Sequence, residues 1–219
     1  MNSDLNTNSS SSDFILLIMN CQKYRYKAAF QKQTWIASCS IPYFHIIGNI
    51  YLETDYMFDY INNILYVKVE DDYNSLPKKV IAAYTAIHKE YTYKYIFKTD
   101  DDQMLSSNNF LTIIQKIVLQ STNAIHYGGY IINVDKPYLS KYYTIHPELP
   151  VYLPVLQTKY CSGRFYLLSM EAICQLIKKT ELICSEYLED YAVGLYLDDS
   201  FKTNMIHIQT NKYFSDINI

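Results

Sequence analysis

Tyr95-Ile96-Phe97-Lys98-Thr99-Asp100-Asp101-Asp102 is the stretch on which the fold turns. Its apolar start, with Tyr91 and Tyr93 upstream, reads as a strand aimed into the interior, and three carboxylates follow at once. Like charges this close repel, and bringing ionised carboxylates together without a counter-charge is expensive. A cation lowers that cost. Asp100 and Asp102 form an Asp-x-Asp pair suited to a hard divalent ion that keeps positions open for phosphate oxygens. A solvated acidic turn is the plain alternative. An apolar strand that runs straight into the acids favours a site at the carboxyl end of a buried strand, where open α/β sheets bind ligands.

Working outward, Phe14-Ile-Leu-Leu-Ile-Met19 is a continuous apolar run, the mark of a strand buried on both faces. A basic, aromatic segment from Lys23 to Trp35 reads as helix. Tyr43 to Ile47 is a strand that ends in a turn at Gly48-Asn49, and Ile64 to Val69 is another. Pro77 opens a helix carrying Val80, Ala83, Tyr84, Ile87 and Tyr91 at helical spacing. Phe110 to Leu119 is a second amphipathic helix. The order β-α-β-β-α-β-α implies a mostly parallel sheet covered by helices.

The second half is less regular. His126-Tyr-Gly-Gly-Tyr130 suggests unusual backbone dihedrals at Gly128 and Gly129. Ser169 is placed to cap a helix through Lys179, Glu186 to Leu197 is a last helix, and Met205 to Ile208 a short strand with His207. Residues 1–12 are a polar, low-complexity tail expected to be disordered. Residues 13–219 are expected to form a single domain.

The bulk numbers bound the function. With 219 residues and 49% hydrophobic content the chain is globular, with enough sequence for a substantial core. A net charge of -3 gives no electrostatic reason to expect nucleic-acid binding. The 24 tyrosines against 5 glycines point to A/T-rich codon usage, as in some large viruses and protists. Five cysteines without a Cys-x-x-Cys pair argue against structural zinc. No run approaches the ~18 apolar residues of a spanning helix, so a soluble, cytoplasmic or viral host-cell setting is expected, with a Golgi-like lumen only if an anchor is missing.

Four segments in this order resemble the β1,3-galactosyltransferase and fringe-like glycosyltransferases. Lys27…Lys32-Gln-Thr-Trp35 is similar to that family's Arg…Arg-x-Thr-Trp, and Lys98 to Asp102 to its Lys-Thr-Asp-Asp-Asp. Tyr160-Cys-Ser-Gly163 with Tyr166-Leu-Leu-Ser169 resembles its Tyr-Cys-Ser-Gly-Gly-Gly-Tyr-Val-Leu-Ser block. Glu189-Asp190-Tyr-Ala-Val-Gly194 resembles its Glu-Asp-Val-x-Val-Gly.

The resemblance implies a GT-A-like α/β fold, with residues 13–109 as nucleotide-sugar half and 110–219 as acceptor half. It implies inverting, metal-dependent transfer, β1,3-type, from a UDP-sugar to a glycan or glycoprotein acceptor, with Mn²⁺ or Mg²⁺ as cofactor. Under it Asp190 is the catalytic base with Glu189 in support. Lys27, Lys32, Asp100, Asp101 and Gly163 face the donor, and Asp100, Asp102 and His207 are the metal group. Gly128, Gly129, Tyr160, Ser162 and Arg164 lie on the acceptor side. Lysines where the family has arginines keep the charge but lose the bidentate fork. Arg164 and Phe165 replace two glycines, which suggests bulk near donor and acceptor. With a chain that is short after Asp190, this motivates the alternative of a catalytically degenerate nucleotide-sugar or glycan binder. An Asp-x-Asp phosphatase fits poorly, with Met104 where a small β-branched residue belongs. A calcium loop lacks its Gly and Glu.

Overall fold

A computed structural model describes residues 10–217. The run 14–19 forms β2 (Phe14–Met19), whose six residues are all buried. Successive strand side chains point to opposite faces, so Ile15, Leu17 and Met19 enter one apolar core while Phe14, Leu16 and Ile18 enter the other. This double burial fixes the strand at the centre of a layered fold. Fully burying a side chain of this size contributes about 1.5–3 kcal/mol.

Around it stand β3 (Tyr43–Gly48), β4 (Tyr56–Asp59), β5 (Ile64–Val67), β7 (Tyr95–Asp100), β9 (Tyr127–Val134), β12 (Thr158–Ser169) and β13 (Ile206–His207). The eight-stranded sheet has the order β13-β9-β12-β7-β2-β3-β5-β4. The first half is parallel through β7, β2, β3 and β5. Antiparallel pairing enters with β12 beside β7, β9 beside β12, and the edge strand β4. The sheet is therefore mixed, and its parallel part carries the carboxyl-end site.

Short strands complete the set: β1 (Ser10–Ser11) with β6 (Tyr91–Thr92), β8 (Gln103–Leu105) with β14 (Phe214–Asp216), and β10 (Tyr138–Leu139) with β11 (Pro154–Val155). Of the expected disordered tail, residues 1–9 lie outside the described residues. Ser10 and Ser11 depart from that expectation by pairing in parallel with Tyr91 and Thr92.

The helices follow their apolar periodicity. α3 (Phe110–Gln120) lies on the face of the second core, and α1 (Arg25–Gln33) leads into a 3-10 turn that gives the same core Trp35 and Ile36. α2 (Leu76–Glu90), with Pro77 in its first turn, buries Val80, Ala83, Tyr84 and Ile87 against the first. α4 (Met170–Ile177) is capped by Ser169, whose Oγ accepts from the Ala172 amide. α5 (Thr180–Cys184), α6 (Glu189–Tyr196) and α7 (Asp199–Lys202) finish the chain's helical part. Among the described residues no helix is long and apolar enough to cross a membrane, and the five cysteines carry free thiols.

Gly128 and Gly129 correct the dihedral expectation, since no glycine among the described residues has positive φ. Their smallness answers crowding instead. A Cβ on Gly128 would lie 2.4 Å from the Ile206 side chain, and one on Gly129 2.8 Å from Cys161 and from the Phe165 carbonyl. They serve close packing inside the sheet. In β12 the register breaks between Cys161 and Tyr166: five steps along this strand oppose two along β9. Ser162, Gly163 and Arg164 stand out of that ladder as a bulge, a device that re-aims residues beside functional sites.

Candidate active site

The site grows from the end of β7. Lys98 points inward and is fully buried, so its charge must be compensated on the spot. Its ammonium lies 2.7 Å from Asp100 Oδ1, 2.7 Å from Glu189 Oε2 and 3.0 Å from the Gly163 carbonyl. Burial alone would push this lysine down, but Asp100 and Glu189 outweigh it and hold the ammonium above the ordinary range. Glu189 also accepts from the Tyr166 hydroxyl, itself 2.7 Å from the Tyr84 hydroxyl on α2.

Gly163 links this cluster to Asp190. Its carbonyl accepts from Lys98, and its amide donates to Asp190 Oδ2 at 2.9 Å. The Tyr191 amide donates to Asp190 Oδ1 at 2.8 Å. Burial raises both Glu189 and Asp190 above the usual carboxylate range, against the pull of Lys98. A Cβ at residue 163 would sit 3.4–3.5 Å from Asp100, Lys98 and Asp190, so the residue is hemmed in by charge.

The other two aspartates go elsewhere. Asp101 meets Lys27 at 3.7 Å, and burial pushes its carboxyl up to about 7 although Lys27 opposes the shift. Asp100 is pushed up to about 6, by burial before all else, with Lys98 opposing; its side chain keeps 32% of its surface exposed. Asp102 Oδ1 accepts from Gln103 Nε2 at 2.8 Å, and the same amide donates to Asp216 Oδ1 at 3.1 Å. Two carboxylates thus converge on one amide.

The turn carrying these acids is braced from behind. Gln31 Nε2 donates to the carbonyls of Asp100 and Gln103, and Trp35 Nε1 to that of Gln103. Trp35 is the residue of the Gln-Thr-Trp segment that braces the turn, and Gln31 lies just ahead of that segment.

Three predicted residues are not brought to the cluster. Lys32 reaches the carbonyl of Asn62 in the turn after β4. His207 shares a row with Gly129, Tyr166 and Lys98 but stands three strands over, ~14 Å at sheet spacing. Its Nδ1 accepts from the Ile131 amide, and its Nε2 meets Gln209. Arg164 turns away from the Lys98 cluster toward β14. Its guanidinium donates to the Phe214 carbonyl at 2.9 Å and to Asp216 at 2.7 Å, tying β14 down, while Phe165 is buried among Phe97, Phe110 and Phe214. Ser162 lies in the bulge, half-buried, and Tyr160 sits against Tyr191, next to Asp190.

Sequence reading missed Lys98, Gln31, Gln103 and Asp216 as site residues. Lys98 left a signal: a lysine between Phe97 and Thr99 in a buried strand requires carboxylate partners. Asp216 left none.

Among the described residues no three His, Cys, Asp or Glu side chains gather as a ready metal cage. Asp102 and Asp216 meet at the Gln103 amide with Arg164 also on Asp216, and two such carboxylates would leave a divalent ion positions for phosphate oxygens and water.

Comparison with known proteins covers the strand-end acids, the β12 bulge and α6. The galactosyltransferase family model matches residues 30–209. UDP-GalNAc:beta-1,3-N-acetylgalactosaminyltransferase 2 of Xenopus laevis and that of Xenopus tropicalis are each 23% identical over 135 residues, 62% of this chain and 26% of theirs. The match thus spans about a quarter of those relatives' length. Among solved structures, a glycosyltransferase involved in the glycosylation of the major capsid of PBCV-1 superposes with a TM-score of 0.50 at 10% identity, covering 90% of this chain and 82% of that one. At that identity the likeness speaks to the GT-A-type fold alone.

Proposed function

Because the chain belongs to the galactosyltransferase family, we propose that it is an inverting glycosyltransferase moving a sugar from a UDP-sugar to a hydroxyl of a glycan. The observation that carries this reading is the connection through Lys98 and Gly163. It joins the acid segment after β7, expected at the donor, to Asp190, expected at the acceptor hydroxyl.

In this reaction the acceptor oxygen bonds to the sugar's anomeric carbon as the bond from that carbon to the diphosphate breaks. Asp190 takes the proton from the attacking hydroxyl. Its raised proton affinity suits a base, since a base with a pKa nearer the working pH transfers a proton more effectively. Two backbone amides orient it. Glu189 is a positioning residue, its carboxylate spent on Lys98 and Tyr166. Lys98 is too enclosed to touch the donor, so Lys27, beside Asp101, is the cation left to face the diphosphate.

Asp102 and Asp216 would hold Mn²⁺ or Mg²⁺, with Asp216 taking the C-terminal position expected of His207. Bound there, the ion supplies charge stabilisation to the leaving diphosphate. The relatives named above are N-acetylgalactosaminyltransferases, which makes UDP-GalNAc the first donor to try.

The experiment is thermal unfolding with UDP and UDP-sugars, with and without Mn²⁺, followed by transfer assays on whatever binds. A UDP-dependent rise that needs Mn²⁺, with transfer lowered about 10²–10⁴-fold in Asp190→Asn, is expected. Binding without turnover would mean a degenerate sugar-nucleotide binder. No response to any uridine nucleotide would sink the UDP-sugar reading.

A further inference from the structure

Resting on that reading, and going beyond it to the acceptor, we propose that Tyr73, Tyr142 and Tyr160 form an aromatic shelf beside Asp190 that binds an uncharged sugar ring. Tyr73 and His146 stack at 3.9 Å and 11°, and Tyr142 stacks on the same imidazole at 5.8 Å and 6°. This near-parallel set comes from two distant segments. Asn74 Nδ2 donates to the Glu148 carbonyl at 3.0 Å, and a helical turn hydrogen-bonds the His146 amide back to the Tyr142 carbonyl. The shelf is thereby built before any ligand arrives.

Tyr160 approaches from the sheet. It packs edge-on against Tyr191 at 5.9 Å, and a Cβ on Gly194 would come within 2.2 Å of its own Cβ. The glycine lets β12 and α6 meet closely enough to set Tyr160 next to Asp190.

The charges of the site reach these phenols. Tyr73, Tyr142 and Tyr160 are all held above the ordinary range, first by burial and then by neighbours that include Asp190 in every case. Asp100 adds to the first two. None of the three hydroxyls makes a hydrogen bond to another described residue. Tyr142 remains 48% exposed.

Three features of the shelf select its occupant. Flat aromatic faces suit the C–H face of a pyranose, and phenol hydroxyls at the rim suit its hydroxyls. The neighbouring carboxylates Asp190, Asp100 and Glu189 outnumber the one enclosed lysine, which disfavours a uronic acid or sialyl residue. A neutral hexose or N-acetylhexosamine, its free hydroxyl turned to Asp190, fits all three.

The test uses the full chain with p-nitrophenyl β-galactoside, β-N-acetylglucosaminide and β-glucuronide. Saturation-transfer NMR reads binding directly, and transfer kinetics follow with the donor found above. At least one neutral glycoside is expected to bind and the glucuronide not to. Tyr142→Ala is expected to raise the acceptor KM about tenfold, a loss of ~1.4 kcal/mol, and Tyr142→Phe less. The UDP-induced thermal shift should persist in both. Tyr152→Ala, in the same segment but 81% exposed, serves as the unaffected control. Equal binding of the glucuronide, no binding of either neutral glycoside, or an unchanged KM in Tyr142→Ala overturns the shelf. Neutral glycosides that bind wild type but not Tyr142→Ala, with no response to any uridine nucleotide, would uphold the shelf and refute the donor reading alone.

Discussion

Asp100 and Asp102 leave one strand two residues apart, yet Asp100 ends in a closed cluster and Asp102 at an open edge. Asp100 binds Lys98, and that lysine is saturated by Asp100, Glu189 and the Gly163 carbonyl. Among the described residues the Asp102 carboxylate has only the Gln103 amide, shared with Asp216 from the far end of the chain. Strand alternation would put residues 100 and 102 on one face, but β7 stops at Asp100 and the chain turns. The turn divides a run of identical residues between structure and chemistry. A motif of like charges is therefore not one site by virtue of its letters; the backbone after the first residue decides who faces what.

The sharpest way to break this contrast is at Lys98. Lys98→Met removes the cation shared by Asp100, the Gly163 carbonyl and the buried Glu189, and an uncompensated buried charge costs about 3–5 kcal/mol. Chemical denaturation should show that loss. A loss under 1 kcal/mol would mean the cluster is not closed.

A buried polar group with no partner at all gives the next comparison. His45 is fully buried, neither ring nitrogen has a hydrogen-bond partner among the described residues, and burial pushes it down to about 3, with Lys32 adding to the shift. Below about pH 6.5 the unfolded chain takes up a proton that the folded one refuses, so stability falls as pH falls toward 3. Between pH 7 and 5 this single group contributes about 2 kcal/mol of that loss. His45→Phe should flatten the pH dependence of the unfolding free energy by that amount; an equally steep curve in the variant would contradict the assignment.

At the open edge, Asp102→Asn and Asp216→Asn should each weaken Mn²⁺ binding in the presence of UDP by at least about tenfold, read by calorimetric titration. His207→Ala should leave it unchanged. Were His207→Ala the damaging change, the edge pair would be wrong.

The smallest effect separates two lysines that look alike in sequence. Lys27→Ala should weaken UDP binding a few-fold, while Lys32→Ala, whose ammonium serves the Asn62 carbonyl, should leave it within error.

What the sequence made legible was what local pattern carries. The six apolar residues of β2, the Pro77 start of α2, the Ser169 cap and the acid run after Phe97 each state their structure within a few neighbours. The GT-A frame and the positions of Asp190 and Asp101 follow from those segments in order. What stayed hidden depends on pairing over long separations. β9 and β12 pair with each other and with β13 and β7, partners far off in the chain that no local pattern announces. Asp216 joins Gln103 across 113 residues, and neither three-residue strand that brings them together has a pattern of its own. Tyr73 and Tyr142 were two of 24 tyrosines, indistinguishable until the fold stacked both on His146.

The bulge in β12 has a consequence for which changes in length this chain tolerates. Phe165 is core and Arg164 is tether because the excursion at 162–164 returns the strand to its ladder with a particular parity. Removing a single residue there would exchange the two, putting a guanidinium among Phe97, Phe110 and Phe214 and a benzyl group at β14. Removing two would restore parity but leave too little chain for Gly163 to span from Lys98 to Asp190. Between Cys161 and Tyr166 the count of residues is thus as constrained as their identity, and any relative that keeps this geometry must keep that count.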